Sequence, residues 1–197
     1  MIQPASTRPV NARRASAPPT SAPPSLSLQV QIASALHQPD VERRQLRRWI
    51  LATLERSAVL TLRFVGRDEA RQLNREFRDR DYATNVLTFI YNAEPPIRLN
   101  AAAPIVQADI VLCLDVLADE ARAEHKSFRD HLAHLVIHGA LHAQGWDHES
   151  DDAAAQMEAR EIQLLKRFRI ANPYQIAKGP AIGIPGKLRY PHSAITT

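Results

Sequence analysis

One cysteine, Cys113, stands in the whole 197-residue chain. A lone thiol excludes an internal disulfide framework. Its place in an apolar run reads as a buried free thiol, which fits a reducing cytoplasm. No uninterrupted apolar stretch approaches the roughly 20 residues that a membrane-spanning helix requires. Acids are missing from both ends. Residues 1–25 carry Arg8, Arg13 and Arg14, residues 171–197 carry Lys178, Lys187 and Arg189, and neither segment holds a carboxylate. These cations outnumber the formal net charge of +4, so the stretch between the tails is slightly acidic. The high isoelectric point belongs to the tails, and global charge is no argument for a polyanion-binding fold.

What is present suits one domain between two extensions. Hydrophobic residues make up 45% of a 22.0 kDa chain, enough for one core. Residues 1–25 are rich in proline, serine and alanine and lack periodicity, which predicts a disordered extension. Their arginines and serines faintly resemble a transit peptide, but the prolines oppose the amphipathic helix such a peptide forms. A domain is expected over 26–175, followed by a flexible tail over 176–197.

Inside the domain, strand and helix patterns alternate. Period-2 alternation predicts strands at 26–33, 58–65 and 85–91, and an apolar run predicts a buried strand at 108–114. Asp40 reads as the cap of a helix to about Arg56, with Leu46, Trp49, Ile50 and Leu54 as its apolar stripe. A helix over 67–78 turns Ala70, Leu73 and Phe77 inward. The stretch Glu94–Pro104 is a loop. Three helices follow, over about 115–125, 128–144 and 150–169. The expectation is an α+β domain with a four-stranded mixed sheet packed against about five helices.

The densest motif is "HGALHAQGWDH", residues 138–148. His138 and His142 are four apart and share a helix face. Gly145 tolerates the left-handed conformation that ends a helix, and the chain can then return His148 to the same point. Three imidazoles with an open fourth position are the layout of a catalytic zinc site. Asp147 is a candidate to orient a ligand, because metal-bound histidines usually donate their second N–H to an oxygen. His131 and His134, upstream on the same helix, do not fit the ligand set. The spacing also matches the zincin-like H-x-x-x-H-x-x-G-x-x-H pattern of metzincin proteases, with one difference. Those proteases place a glutamate directly after the first histidine as general base; here that position is Gly139.

The same stretch resembles the H-G-x-L-H-x-x-G-aromatic-D-H signature of the YbeY family of endoribonucleases and rRNA maturation factors. Three further stretches are similar to that family in the same order. They are "FRDRDYATNVLTF" (77–89), "ADIVLCLDV" (108–116), and "MEAREIQLLKRF" with the "NPY" that follows (157–174). Ala108 stands where glycine is usual and Thr88 where serine is usual, and both tails are extra. The resemblance spans roughly 26–175. It implies one zinc ion held by His138, His142 and His148, single-stranded RNA as substrate, and a role in 16S rRNA 3′-end maturation and ribosome quality control. It also implies a functional arginine, at Arg78, which is expected in the turn before the third strand.

Phosphodiester cleavage gathers charge on the non-bridging oxygens, which a guanidinium stabilises. Arg78 is therefore the candidate catalytic cation beside His138, with Arg75 and Arg80 as phosphate-binding neighbours. Tyr82, Tyr91 and Trp146 suit base stacking, and ordinary packing accounts for each equally well. Arg43, Arg44, Arg47 and Arg48 form a basic helix face that fits either rRNA and small-subunit proteins or plain solvation. Glu158 or Glu161, on the last helix, is placed to bond a ligand histidine or Arg78, or to face water. Two other functions compete: a metal hydrolase of another substrate, and a non-catalytic ribosome assembly factor with a structural metal.

Overall fold

Alternation of large apolar and polar residues along "LSLQVQI" and "AVLTLRFV" dictates two half-buried strands, and the structure begins with them. The computed structural model describes residues 23–33, 39–91 and 104–175. The extension expected at 1–25 (bar residues 23–25), the loop expected at 94–104 (bar Pro104) and the tail expected at 176–197 lie outside the described residues.

Among the described residues, four strands form one sheet: β1 (Leu26–Ile32), β2 (Ala58–Val65), β3 (Val86–Ile90) and β4 (Val106–Cys113). Their order is β1-β2-β4-β3. β1, β2 and β4 run parallel, and β3 pairs antiparallel to β4. The helices are α1 (Arg43–Leu51), α2 (Arg67–Arg78), α3 (Leu114–Ala123), α4 (Phe128–Ala143) and α5 (Asp151–Arg167). The mixed four-stranded sheet with five helices is the α+β domain expected.

The pleat sorts side chains between two cores. Val86, Ile110 and Leu112 join Trp49 and Ile50 of α1, most of α4, and Leu164 and Leu165 of α5 in the larger core. Leu87, Val111 and Cys113 meet Ala70 and Leu73 of α2 in the smaller one on the other face. α4 lies at the centre of the larger core. It is buried almost all round, as a helix packed between a sheet and other helices must be.

Three sequence expectations need correction. α1 starts at Arg43, not after Asp40, and its N-cap Glu42 makes no side-chain cap bond. It stops at Leu51, because the amides of Glu55 and Arg56 bond the Gln144 side chain at 3.2 and 2.9 Å and do not continue the helix. Phe77 is 46% exposed; it leaves the core and stands edge-on against Phe89, with ring centroids 5.0 Å apart. The basic face of α1 is only partly free. Arg43 and Arg47 donate to the carbonyls of Leu28 and Leu26 at 2.6 and 2.9 Å, which occupies backbone acceptors of β1, an edge strand.

Candidate metal centre

α4 delivers the first two histidines and its ending delivers the third. The helix is fixed at its start by Ser127, whose hydroxyl accepts from the Asp130 amide at 3.0 Å. Its C-terminus closes with two reverse bonds, Gly145 N–H to the His142 carbonyl (2.9 Å) and Trp146 N–H to the Leu141 carbonyl (3.1 Å). That pairing is a Schellman turn. It requires the left-handed backbone that Gly145 adopts at φ 98°, where a glycine is unstrained.

The turn does two things for the site. It aims the Trp146 carbonyl at His142 Nδ1, 2.9 Å away. It also carries His148 back over the helix, with its ring 5.5 Å from that of His138 and 4.9 Å from that of His142. Each of the three histidines offers a nitrogen, and these atoms all lie within 4.8 Å of one another.

The donor set fits a metal. A carbonyl only accepts, so His142 carries its proton on Nδ1 and keeps the Nε2 lone pair. Glu161 Oε1 sits 2.7 Å from His138 Nδ1 and fixes the same tautomer there. The two Nε2 atoms then face each other at 3.1 Å. Two nitrogens on a tetrahedral zinc at about 2.0–2.1 Å are separated by about 3.3 Å, close to this spacing. Burial, with His138 and His148 beside it, pushes the His142 pKa down to about 3, so the imidazole is held neutral. Neutral imidazole is the ligand form. His138 and His148 are only partly buried, which leaves a side open to solvent.

Behind the histidines lies a buried carboxylate. Glu161 of α5 is fully buried. Its Oε2 accepts from His134 Nε2 at 3.0 Å and from the Tyr174 hydroxyl. Burial alone would raise the Glu161 pKa, but His138 and His134 outweigh it and hold the group ionised. His134 itself is kept neutral by burial. Further up α4, His131 bonds Glu120 at 2.8 Å, and Glu120 in turn takes two bonds from Asn85 at 3.1 Å.

The structure brings together His138, His142 and His148 as the motif implies. Of the two candidate carboxylates on the last helix, Glu161 meets a ligand histidine and Glu158 is exposed. Asp147 does not take the orienting role for His142, which falls to the Trp146 carbonyl. Its carboxylate accepts from the Glu149 amide at 3.2 Å and shapes the turn around His148. Arg78 is the last residue of α2, not a residue of the turn before β3. Burial depresses its pKa, and its Nε is buried without a hydrogen-bond partner among the described residues. Arg75 and Arg80 are exposed. Tyr82 and Tyr91 are also exposed, and the Tyr91 hydroxyl bonds Asp109 at 2.7 Å. Trp146 packs against the larger core. Sequence reasoning missed Tyr174 and the orienting part of His134. The available signal was the four-residue step from His134 to His138 on one helix face.

An α+β domain carrying an open three-histidine cluster that could hold a metal ion has the layout found in metal-dependent hydrolases. A family model described as "Endoribonuclease YbeY" matches residues 31–169. Endoribonuclease YbeY of Methylibium petroleiphilum is 48% identical over 151 residues, covering 77% of this chain and 95% of the relative. That of Herminiimonas arsenicoxydans is 51% identical over 149 residues, covering 76% and 95%. The solution structure of TM1509 from Thermotoga maritima is similar over 72% of this chain and 91% of that one, at 23% identity and a TM-score of 0.43. The chain belongs to the YbeY family, and so to the endoribonucleases, hydrolases of RNA phosphodiester bonds.

Proposed function

We propose that this chain is a zinc-dependent, single-strand-specific endoribonuclease acting in 16S rRNA 3′-end maturation and ribosome quality control. The observation that carries the metal part is the convergence of the Nε2 atoms of His138 and His142 at 3.1 Å, each with its Nδ1 already committed to an oxygen. Zinc in such a site supplies Lewis acidity, activating water near neutral pH and drawing charge from a phosphate oxygen. His138, His142 and His148 would hold it.

The chain's own catalytic cation is Arg78. A buried guanidinium nitrogen with no partner is costly, and a phosphate oxygen is the acceptor it suits. Arg78 thus binds the scissile phosphate and steadies the charge that grows on it. Arg75 and Arg80 are exposed on the same segment and extend the phosphate contact. The exposed rings of Tyr82 and Tyr91 serve as stacking surfaces for unpaired bases. Asp147 supports the loop of His148.

Residues 26–175 form the catalytic domain, and the exposed Arg44 and Arg48 of α1 face rRNA or small-subunit proteins. Among the described residues, no helix is long and apolar enough to cross a membrane. The cytoplasm, where ribosomal RNA is processed, is the proposed location. The test is cleavage of single-stranded and duplex RNA with bound zinc quantified, comparing wild type with His142→Ala. Wild type should carry one zinc per chain and cut the single strand. The variant should lose both zinc and cleavage. Equal cutting by a metal-free His142→Ala protein would overturn the proposal.

A further inference from the structure

Glu161 is the one fully buried carboxylate among the described residues, and its two oxygens do different work. Oε1 takes the Nδ1 proton of His138 at 2.7 Å. Oε2 takes His134 Nε2–H at 3.0 Å and the Tyr174 hydroxyl. Burying a carboxylate is costly, and neutral donors offset only part of that cost unless a cation lies near. The nearest place for one is the far side of the His138 ring, where Nε2 faces His142 and His148.

Tyr174 reaches Glu161 only because the chain doubles back after α5. The α5 C-terminus closes through the left-handed Arg169, with Ile170 N–H bonding the Leu165 carbonyl at 3.1 Å. The Asn172 side chain then accepts from the Tyr174 amide at 2.9 Å. Lys126, in the connection before α4, donates to the Pro173 carbonyl at 2.8 Å. The segment 172–174 is a strap pinned at both Lys126 and Glu161, and its ring stands 5.5 Å from that of His134.

We propose that Glu161, braced by His134 and by Tyr174 of this strap, is the positioning residue that sets His138 as a metal ligand, so that metal affinity depends on a segment beyond the last helix. The inference rests on the reading of His138, His142 and His148 as a metal site. Glu161 does three things there. It selects the His138 tautomer with a free Nε2, holds the ring plane, and supplies negative charge that makes the imidazole a stronger donor. His142, backed by a neutral carbonyl, has no such charge behind it. The two helix ligands are therefore inequivalent.

The experiment uses the full chain, stripped of metal and titrated with zinc against a chromophoric chelator. Wild type is compared with Glu161→Gln, Tyr174→Phe and, as a remote carboxylate control, Glu69→Gln, whose carboxylate pairs with Arg63. Glu161→Gln keeps the shape and an acceptor but removes the charge. It should raise the zinc Kd by about 10–100-fold, the usual effect of losing such a partner. Tyr174→Phe should raise it by up to about tenfold, the worth of one hydrogen bond to a charged group. Glu69→Gln should leave it unchanged. Imidazole nitrogen resonances of the metal-free wild type should show His138 protonated on Nδ1.

Zinc affinity equal to wild type in both Glu161→Gln and Tyr174→Phe would overturn the inference while leaving the metal site intact. Should Glu161→Gln fail to fold, Tyr174→Phe and the His138 tautomer decide; protonation on Nε2 would sink the idea. Wild type that binds neither zinc nor cobalt would overturn both the metal reading and this one.

Discussion

Gly139 lies so close to Ile110 that a Cβ on the glycine would sit 2.7 Å from the Ile110 Cγ2 methyl, and 3.2 Å from the Thr88 hydroxyl. The position points into the sheet and away from the histidines. A glutamate after His138 therefore has no room and would not face the histidine cluster. The absence of the protease base in the motif is enforced by helix-to-sheet packing. Gly139→Ala should destabilise the protein despite a helix-propensity gain of about 1 kcal/mol. Forcing a methyl into a packed core costs about 1–3 kcal/mol, and Ile110 is fully buried with nowhere to go. Thermal unfolding reads the difference. Gly139→Glu should fold poorly and gain no peptidase activity.

Arg78→Glu should abolish RNA cleavage and leave the fold. The residue ends α2, its Nε has no hydrogen-bond partner among the described residues, and no ion pair among those residues involves it. Arg78→Lys should recover only part of the activity, since an ammonium cannot make a two-pronged contact with phosphate. Single-turnover cleavage with saturating RNA, alongside a melting curve, separates these outcomes. Arg78→Glu protein that cut at the wild-type rate would remove Arg78 from the catalytic role.

Gly145→Ala isolates the turn. The nearest atom to an added Cβ is Arg56 Nη2 at 3.7 Å, so space is adequate, and the cost comes from φ of 98°. Holding alanine in left-handed backbone costs about 1–2 kcal/mol. The turn carries both the Trp146 carbonyl and His148. Zinc affinity should accordingly fall along with the melting temperature, and the two losses should appear together.

Acid should unfold the metal-free protein early. The His142 pKa is lowered from 6.5 to about 3 in the fold, and that of His134 is lowered as well. Below about 6.5 the unfolded chain takes up protons that the folded chain refuses, so stability falls as pH drops from 6.5 towards 3. Glu161, with its pKa lowered by folding, adds a further loss once pH passes below its ordinary value of 4.5. Above pH 7 neither histidine contributes. Denaturant midpoints of chelator-treated protein between pH 4 and 8 should decline on the acid side. His142→Ala should flatten the upper part of that decline.

The elements legible in the sequence were those whose cause is local. Alternation in "AVLTLRFV" marks β2 because one face of it must be buried, and the strand is found at Ala58–Val65. The glycine in "HAQGWDH" marks a helix end because only glycine holds that backbone without strain, and the Schellman turn forms there. What stayed hidden depends on partners distant in sequence. Asp40 looks like a helix cap, and the end of α1 is instead decided by Gln144, which is 88 residues from Arg56. Phe77 fits the inward stripe of α2, yet it lies past the reach of the smaller core and pairs with Phe89 at the surface. Glu161 and Glu158 were indistinguishable in sequence, because which one is buried depends on how α5 rotates against α4. Tyr174 lies beyond the last helix, where no periodicity reports on its contact.

All three histidines of the cluster come from eleven consecutive residues, 138–148. A ligand set that short survives, in part, in the denatured chain, where the two imidazoles four apart can still meet whenever a helical turn flickers into place. Zinc would then bind both states, and the stabilisation it gives would be smaller than its affinity for the native protein implies. What distinguishes folded from unfolded chain for the ion is the backing from afar, the α5 carboxylate and the tyrosine strapped beneath it. During synthesis the histidines are complete before either of those has been made, so the ion can arrive first and be gripped tightly only when the chain is finished.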